Sequence, residues 1–511
     1  MDHFGKASLR TILLLAPVIW GFFISAVPGE PPRSFADQQE DPDTSARDTS
    51  AYEKRMVKPL IPTFLGNKQR NYYGEQPPES LDVRWRKYLG KGKTVISRSI
   101  GEKEWEGAGW TGQPLLVKED SILYIIQGAY DHHLRKIRAS DGKTIWKYAF
   151  DDVIKGTGTL WYQPGYPEPE NRLVILQGSR LGVGNYVDSD YIPSYRAISY
   201  FTGRELWRLN VKWTHSYSRD VDGSALMLRD TAYLGLENSL FTVFNPDYKA
   251  ASHRQGMLQP EIYQEHRLYE MSDVKDHDHN VVTESSPSLL DNRIYVASGS
   301  GHVYGYNLKE DQLDWDFHIG SDMDGSAVVT SDSCLMVSVE KQYIDGRGGI
   351  FKLDPSRPPN EAVVWYYPVP DAKLLSWKGG VIGSVGINDS YAYGGKDKLA
   401  AFVGIDGYLY VVNHQQQAPE ETVFGPDSIS RYPTPQLVYK RKVGPSISTP
   451  VFFEDKLLVA SYSGLFLFEY DQENHFTLKD KFSAPFEATP VAYDGCIYVA
   501  SRNGYLYCFS Q

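Results

Sequence analysis

A unit of three short apolar runs separated by glycine turns recurs along the chain. Its last copy covers Ala488 to Ser510, with turn signals at Asp494-Gly495 and Asn503-Gly504. Such dipeptides favour the positive φ angles of hairpin turns, so each copy predicts a three-stranded antiparallel meander. Two more clear copies begin at Ser286 and Thr449. Weaker copies begin near Gln113, Gly158, Ser224, Ser326 and Gly380. Eight copies spaced roughly 40 to 65 residues apart indicate the blades of a β-propeller.

A fourth run in the fuller copies carries a tryptophan after a turn. These tryptophans are Trp146, Trp207, Trp315 and Trp365, and their large apolar rings suit packing against a neighbouring blade. The final copy stops after three strands, which would leave an unpaired sheet edge. Leu81–Leu89 is a run of the fourth type with no repeat of its own. We therefore predict an all-β, eight-bladed propeller of four-stranded blades, closed by this N-terminal strand.

The N-terminal region predicts export. Lys6 and Arg10 precede an apolar stretch, and Ser34-Phe-Ala36 suits cleavage, so residues 1–36 are interpreted as a signal peptide. The alternative is an uncleaved anchor, in which case the protein would be membrane-attached. Residues 37–74 are expected to form a linker and lead-in segment, and residues 75–511 the propeller. Export places the protein in the periplasm or outside the cell.

Charge and cysteine content exclude some functions. The net charge of −11 argues against a nucleic-acid partner, because phosphates require a basic surface. A two-residue Asn503-Gly504 turn would set Cys508 opposite Val499 and put Cys496 on the other face of the sheet, so no disulfide is expected between these two cysteines.

Four carboxylates occupy one position relative to the start of the innermost strands. They are Asp222, Glu284, Asp324 and Glu487, each just before the Ser/Thr and Pro/Ala that begin the strand. Around one channel mouth they would form an electronegative funnel for a cation or a basic peptide segment. The alternative is that each carboxylate accepts N–H bonds within its own turn.

The stretch from Asp276 to Asn280 suggests a metal site. Its residues His277 and His279 are ligand types for zinc and other transition metals. No third ligand stands at a diagnostic spacing, so the alternative is a solvated polar loop. Two long stretches, Tyr248–Asn280 and Gln415–Gln436, are expected to be loop insertions, where binding function is commonly found.

One repeat carries a motif of a known family. Ala197–Trp207 follows the pattern A-x-D-x-x-T-G-x-x-x-W, except that Ser199 replaces the acidic residue, and Lys136–Trp146 keeps the glycine and the tryptophan. The chain thus resembles the propellers built from pyrroloquinoline quinone (PQQ) repeats, which are WD40-like in architecture. Some members are PQQ- and calcium-dependent dehydrogenases of alcohols or sugars. Others resemble the propeller lipoprotein of the outer-membrane barrel-assembly machinery and are protein-binding scaffolds.

The resemblance implies a binding role more than catalysis. Many of the dehydrogenases carry a vicinal cysteine pair against the cofactor, and this sequence has none. We therefore expect a non-catalytic propeller, without cofactor or catalytic residues, that holds a small ligand, peptide or protein partner at the channel mouth and long loops. The alternative is a PQQ- and calcium-dependent quinoprotein oxidoreductase.

Overall fold

The computed structural model describes residues 50–511, which form an eight-bladed β-propeller with very little helix. Each blade is an antiparallel sheet of four strands, and the first blade has a fifth. The predicted fold class is confirmed. The signal or anchor predicted for residues 1–36 lies outside the described range. Within that range, no helix has the length and apolar character needed to cross a membrane.

The elements follow one another blade by blade. Ahead of the first blade lie α1 (Ser50–Glu53), β1 (Val57–Ile61), β2 (Val83–Tyr88), β3 (Lys91–Ser97) and β4 (Gly101–Glu106). Blades one and two contain β5 (Leu115–Glu119), β6 (Ile122–Gly128), β7 (His133–Arg138), β8 (Thr144–Ala149), β9 (Thr159–Tyr162), β10 (Leu173–Gly178), β11 (Tyr195–Ser199) and β12 (Glu205–Leu209). Blades three and four, with their insertions, contain β13 (Leu226–Leu228), β14 (Thr231–Gly235), β15 (Leu240–Asn245), β16 (Ser252–Arg254), β17 (Met257–Gln259), β18 (Glu261–Arg267), α2 (Met271–Asp276), β19 (Ser288–Leu290), β20 (Arg293–Ala297), β21 (His302–Asn307) and β22 (Gln312–His318).

The second half of the ring continues in the same way. Blades five and six contain β23 (Val328–Val329), β24 (Leu335–Val339), β25 (Gly349–Leu353), β26 (Val363–Pro368), β27 (Gly386–Ile387), β28 (Leu399–Val403), β29 (Tyr408–Phe424) and β30 (Arg431–Lys442). Blades seven and eight contain β31 (Val451–Phe453), β32 (Lys456–Ser461), β33 (Gly464–Tyr470), β34 (Phe476–Phe482), β35 (Val491–Tyr493), β36 (Cys496–Ala500) and β37 (Tyr505–Ser510). Two single 3₁₀ turns stand at Pro169–Asn171 and Pro359–Glu361.

The N-terminal strand β2 closes the ring. It pairs antiparallel with the last strand, β37, from Val83 opposite Phe509 to Tyr88 opposite Tyr505. Blade eight therefore has the strand order β2-β37-β36-β35, with its outer strand supplied from the other end of the chain. The predicted closure is confirmed. Because β2 pairs with β37, the outer edge that the last three strands would otherwise leave unpaired is covered.

Tryptophans of the outer strands bind successive blades to one another. The indole N–H of each donates to a backbone carbonyl of the next blade at 2.8–3.1 Å. The five pairs are Trp85 with Ala139, Trp146 with Tyr200, Trp207 with Pro246, Trp315 with Arg357, and Trp365 with His414. The predicted packing of these rings against a neighbouring blade is thus observed, and a specific hydrogen bond accompanies it.

The glycine of the repeat motif makes room for the tryptophan of the preceding blade. Gly142 and Gly203 both have φ of +70°, a backbone region that side chains rarely adopt. A Cβ atom on Gly203 would lie 2.9 Å from the ring of Trp146, and one on Gly142 would lie 3.1 Å from the ring of Trp85. The glycine and the tryptophan of the motif are therefore contact partners across these two seams.

Residues 62–75, here called the plug, block one end of the channel. The plug makes hydrogen bonds to the innermost strand, or to the residues just before or after it, in seven of the eight blades. The bonded residues are Gln113, Leu160, Ser224, Pro287, Leu289, Val329, Ile387 and Ala492. A segment that reaches so many inner strands must cross the propeller axis. Residues 57–61, expected to belong to the linker, form β1, which pairs with β5 as the fifth strand of blade one.

Arg70 anchors the plug. Its side chain is fully buried and donates to the carbonyls of Pro287, Phe64 and Ser224 and to the hydroxyl of Thr63. Burial lowers the pKa of Arg70 to about 9. The plug is thus held by a buried cation whose hydrogen-bond partners are neutral acceptors.

Two expectations are wrong, the position of Cys508 in the last hairpin and the loop character of two long stretches. The hairpin between β36 and β37 closes with Ser501 bonded to Tyr505, so Cys508 stands opposite Tyr498, one residue from the predicted position. Cys496 therefore lies on the same face as Cys508, although all three cysteines are free. The Cys508 thiol, hydrogen-bonded to Cys496, lowers the pKa of Cys496 to about 6.

The two stretches expected to be loop insertions are ordered elements. Tyr248–Asn280 contains β16, β17, the outer strand β18 of blade three, and α2. Gln415–Gln436 belongs to the long hairpin of β29 and β30, whose strands pair as far as Phe424 opposite Arg431.

Deleting Leu81–Leu89 tests the closure. The deletion removes the outer strand of blade eight and exposes the edge of β37, so we expect the cooperative melting transition of the whole ring to shift to lower temperature. Thermal unfolding followed by circular dichroism measures this effect. A deletion variant that melts like the parent protein would show that β2 is not part of the folded ring.

Gly203→Ala tests the seam. The new methyl group meets the ring of Trp146 and also adds backbone strain, so we expect a loss of unfolding free energy of about 2–4 kcal/mol. Gly256→Ala is the matched control, because Gly256 has φ of +75° and open space around it. Chemical denaturation of both variants should show a loss at Gly203 larger by at least about 1 kcal/mol. Equal losses would mean that the Trp146 contact contributes nothing.

Candidate functional site

A belt of hydroxyl side chains links the starts of neighbouring inner strands. The N–H of Ser224 donates to the hydroxyl of Ser286, that of Ser286 to Ser326, and that of Ser326 to Ser384, at 2.8–2.9 Å. Thr449 donates in the same way to Thr489 at 3.3 Å. The repeated bond makes these residues structurally equivalent in blades three to eight, so the residues two positions before them are equivalent as well.

The plug and the carboxylates lie on opposite sides of this belt. Asp222, Glu284 and Asp324 stand two residues before their belt residues, whereas the plug bonds to residues at or after the belt, such as Pro287 and Leu289. The channel is therefore closed on the plug side and open on the carboxylate side. We call the resulting cavity, about 580 Å³ in volume, the funnel.

The funnel has an acidic wall in blades three to five. Of the four predicted carboxylates, Glu284 and Asp324 line the funnel, whereas Asp222 is buried behind the lining residue Lys155. Four acidic residues that were not predicted join them on this wall. They are Asp220, Glu237, Asp322 and Glu340.

Patterns in the sequence do mark these missed residues. Asp220-Val-Asp222 and Asp322-Met-Asp324 share an Asp-x-Asp spacing, which places both side chains of an extended segment on one side. Glu237 follows β14, the second strand of blade three, and Glu340 follows β24, the second strand of blade five. Aligning the ends of the second strands would therefore have found them.

Glu487 has a different environment. Arg502 donates to both of its carboxylate oxygens at 3.0 Å, and the Tyr462 hydroxyl donates at 3.0 Å. The backbone N–H of Trp110 donates a longer hydrogen bond of 3.4 Å to Glu487 Oε2. Glu487 is completely buried, and its charge is balanced by Arg502. It therefore does not join the acidic wall, although it holds the position equivalent to the other three carboxylates.

Two cations neutralise part of the acidic wall. The Lys155 ammonium lies 2.6 Å from Asp222 and 3.5 Å from Asp220, and Arg180 Nε donates to Asp220 at 2.7 Å. Burial alone would lower the pKa of Lys155, but Asp222 and Glu237 outweigh it and hold this pKa well above its ordinary value. Both cations are thus fixed as charged partners of Asp220 and Asp222, with Glu237 3.6 Å from Lys155, while Glu284, Asp324, Asp322 and Glu340 line the cavity without a cation of their own in the described part of the chain.

The pKa values of the wall carboxylates are raised, except that of Asp220, for which Arg180 and Lys155 outweigh burial and lower the pKa. Burial, with Glu284 and Asp220 as negative neighbours, raises the pKa of Asp222 to about 7, although Lys155 opposes the shift. Burial, together with Glu237 and Asp322, raises the pKa of Glu284 to about 8. Burial raises the pKa of Glu237, Asp324 and Glu340 well above the usual range. The wall therefore holds protons near neutral pH that a bound cation would displace.

Several buried acceptors of the funnel lack hydrogen-bond partners. Within residues 50–511, Glu284 Oε2, Asp322 Oδ1 and Asn280 Oδ1 accept no hydrogen bond, and Glu237 Oε1 has only the Lys155 ammonium at 3.6 Å, beyond hydrogen-bond distance. Asp322 is only 5% exposed and Glu237 2%. A buried acceptor without a partner costs about 1–3 kcal/mol, so these atoms favour a ligand that brings donors or positive charge. Asp222, Glu237 and Glu284 each offer an oxygen within 4.8 Å of the others, close enough to share one cation.

A second wall, in blades six and seven, is apolar. The positions equivalent to the carboxylates are occupied there by Ile382 and Ile447, which form one cluster with Trp377. Trp110 stacks on Trp377 with 6.3 Å between ring centroids, and both rings line the funnel. The hairpin of β3 and β4 covers a further part of the cavity. The funnel thus presents negative charge on one side and aromatic surface on the other.

The predicted metal ligands His277 and His279 bond to different parts of the backbone. His277 Nδ1 lies 2.7 Å from the Gly299 carbonyl oxygen, and its ring stacks on Tyr343. His279 Nδ1 lies 2.7 Å from the His215 carbonyl oxygen. In the described part of the chain, neither residue belongs to a cluster of three metal-ligand atoms within 4.8 Å. Metal binding by this pair remains a prediction.

Comparison with known proteins agrees with this architecture. The sequence model of the family described as outer membrane protein assembly factor BamB matches residues 82–367. The crystal structure of BamB from Moraxella catarrhalis superposes with a TM-score of 0.50 at 10% identity, covering 84% of this chain and 100% of that one. Quinohemoprotein alcohol dehydrogenase from Comamonas testosteroni gives a TM-score of 0.52 at 12% identity, covering 88% and 80%. The sequence matches no curated protein. At these identities, the two structures support the fold alone.

The acidic wall predicts a pH-dependent stability. In the folded protein Asp222 and Glu284 keep protons up to pH values near 7 and 8, whereas in the unfolded chain they release them near 4. Their contribution is therefore fully present below about pH 4 and is lost as pH rises towards 8. We expect the double variant Asp222→Asn, Glu284→Gln to lose less stability than the parent between pH 5 and about pH 8 in denaturant titrations. Parallel pH profiles would contradict the raised pKa values.

Proposed function

The chain belongs to the PQQ-repeat propeller family of outer membrane protein assembly factor BamB, and we propose that it is a non-catalytic binding ring. Its funnel takes a ligand that carries a positive charge beside an apolar or aromatic group, such as an arginine or lysine next to an aromatic residue in a peptide segment of a protein partner. The observation that carries this proposal is the set of buried, unpartnered carboxylate oxygens in a cavity closed at its base.

The charge balance of the funnel supports a cationic ligand. Seven acidic residues line the cavity, the six of the acidic wall and the exposed Asp278, and the two buried cations already contact Asp220 and Asp222. An ammonium or guanidinium group entering the funnel would meet Glu284 and Asp322, whose free oxygens accept charge-assisted hydrogen bonds. Such bonds are strengthened where the accepting oxygens are buried, because the local dielectric is lower there than in water.

The apolar wall supports a ligand with two kinds of surface. Trp110 and Trp377 line the same cavity as the carboxylates, and the ring centroid of Trp110 already lies 5.9 Å from the Lys155 ammonium. Aromatic side chains attract both cations and apolar groups. A bare metal ion would use only the acidic wall. A peptide segment with adjacent basic and aromatic side chains would use both walls, which is why we favour it.

The residues of the funnel do not fit pyrroloquinoline quinone. The quinone is a tricarboxylate, and its binding would add negative charge to a cavity with a surplus of carboxylates. Lys155 and Arg180 are the buried cations among the lining residues, and both already contact carboxylates of the wall. We therefore derive no redox step for this site. The calcium ion that accompanies the quinone in the dehydrogenases could use the closely spaced oxygens of Asp222, Glu237 and Glu284 only by displacing the Lys155 ammonium, which lies 2.6 Å from Asp222 and 3.6 Å from Glu237.

The proposed place of action is outside the cytoplasm. This part of the proposal rests on the signal pattern of residues 1–36 and on the acidic net charge, which suits a protein or peptide partner better than nucleic acid.

Peptide binding tests the proposal. We expect a short peptide containing Arg-Phe to bind by isothermal titration calorimetry, and its Gln-Phe analogue to bind at least about tenfold more weakly. The variant Glu284→Gln, Asp322→Asn should weaken the Arg-Phe peptide by a similar factor. The exposed pair Asp471→Asn, Glu473→Gln makes the same change of charge elsewhere and should leave the affinity unchanged.

A second experiment distinguishes a peptide ligand from a metal ion. Trp377→Ala should weaken the Arg-Phe peptide while leaving any calcium affinity unchanged, because only the peptide reaches the apolar wall. Equal binding of the Arg and Gln peptides, or equal loss in the control variant, would refute the funnel as a cation-binding site. Binding of calcium with no binding of either peptide would identify the ligand as a metal ion instead.

A further inference from the structure

We propose that Asp273, His302 and His318 form a binding site for a zinc ion at the rim of blade four, separate from the funnel. The site joins the end of one strand, the start of its neighbour and the short helix α2 that precedes the blade. One ligand atom from each of the three residues lies within 4.8 Å of the other two.

The two histidines are cross-strand neighbours. His302 begins β21, His318 ends β22, and the antiparallel register sets them directly opposite each other. Their ring centroids are 4.4 Å apart. Side chains at directly opposite positions have Cβ atoms about 4.5–5.5 Å apart, so the pair can converge on one ion without a change in the sheet.

Asp273 supplies the third ligand from outside the sheet. Its Oδ2 accepts a hydrogen bond from the Glu270 N–H at the start of α2, which fixes the carboxylate in place. The same oxygen lies 3.5 Å from His302 Nε2. Two ligands at zinc distances of about 2.0–2.1 Å lie about 3.4 Å apart in a tetrahedral site, so the observed separation is that of neighbouring zinc ligands.

Asp316 orients His302 for metal binding. Its Oδ1 lies 2.6 Å from His302 Nδ1, so the imidazole donates its Nδ1–H to this carboxylate. The lone pair of Nε2 then points towards Asp273, and two electron-rich atoms face each other at a distance that calls for a cation between them. A carboxylate behind the second nitrogen of a ligating histidine is the usual support of a zinc site. Asp316 therefore acts as a positioning residue.

The surroundings suit an ion that can enter and leave. His302 and Asp273 are buried, whereas His318 is exposed, so solvent reaches one side of the site. Tyr304 stacks on His302 with 5.1 Å between ring centroids and fixes the orientation of the ring. Three protein ligands and an exposed side leave a fourth position for water.

Zinc binding to the full chain tests the proposal. After removal of metals with a chelator, we expect calorimetry and elemental analysis to give one zinc ion per chain that is lost in the variant His302→Gln, His318→Gln. Asp316→Asn should weaken zinc about 10- to 100-fold and leave the melting temperature of the metal-free protein unchanged. If the double variant fails to fold, His318→Ala alone is informative, because this side chain is exposed.

Two matched controls locate the ion. The exposed cluster of Asp471, Glu473 and His475 offers the same ligand types, and His475→Ala should leave the zinc stoichiometry unchanged. Asp222→Asn, Glu284→Gln should also leave it unchanged, which separates this site from the funnel. Absence of zinc binding, or binding that follows either control, would overturn the proposal. His302 would then serve only as a structural link between Asp273 and Asp316.

Discussion

The pairing of β2 with β37 is the constraint on which the rest of the structure depends. A propeller buries its blades only against one another, so an open ring would leave two blade faces and a sheet edge exposed. Closure fixes the distance between opposite inner strands. The hydroxyl belt then fixes the positions of neighbouring inner strands along the propeller axis. Once the inner strands are held in this way, the wall residues face a common cavity, and the plug can bond to most of the ring at once.

Much of the fold could be predicted because each blade repeats the same local signals. Glycine turns mark the strands, and the outer tryptophans mark the seams, so the strand containing Trp85 could be assigned to the last blade before any contact was known. The plug could not be predicted in this way. It has no repeat, and its stability comes from bonds such as that of Arg70 to Pro287, which joins residues more than two hundred positions apart. The Cys508 position was missed because one residue more or less in a turn changes the facing side chain.

The site was predictable only in part, for a related reason. The alignment of inner strands found Asp222, Glu284 and Asp324, but it gave Glu487 the same status, since sequence equivalence does not reveal that Arg502 neutralises it. Partners that come from other blades, such as Lys155 at Asp222, are likewise invisible to a local pattern. The structure thus divides an apparently uniform ring of carboxylates into an acidic wall and an internally paired residue. The apolar wall of Trp110 and Trp377 gives the funnel its second side.

The buried carboxylates give the funnel its proposed role, because they are costly in the free protein and become favourable when a cation binds. An experimental structure of the protein crystallised with the Arg-Phe peptide would test this claim most directly. We predict guanidinium density within hydrogen-bond distance of Glu284 and Asp322, with the phenyl ring against Trp377. Peptide density on the outer face of the propeller, with the funnel filled by water alone, would contradict it.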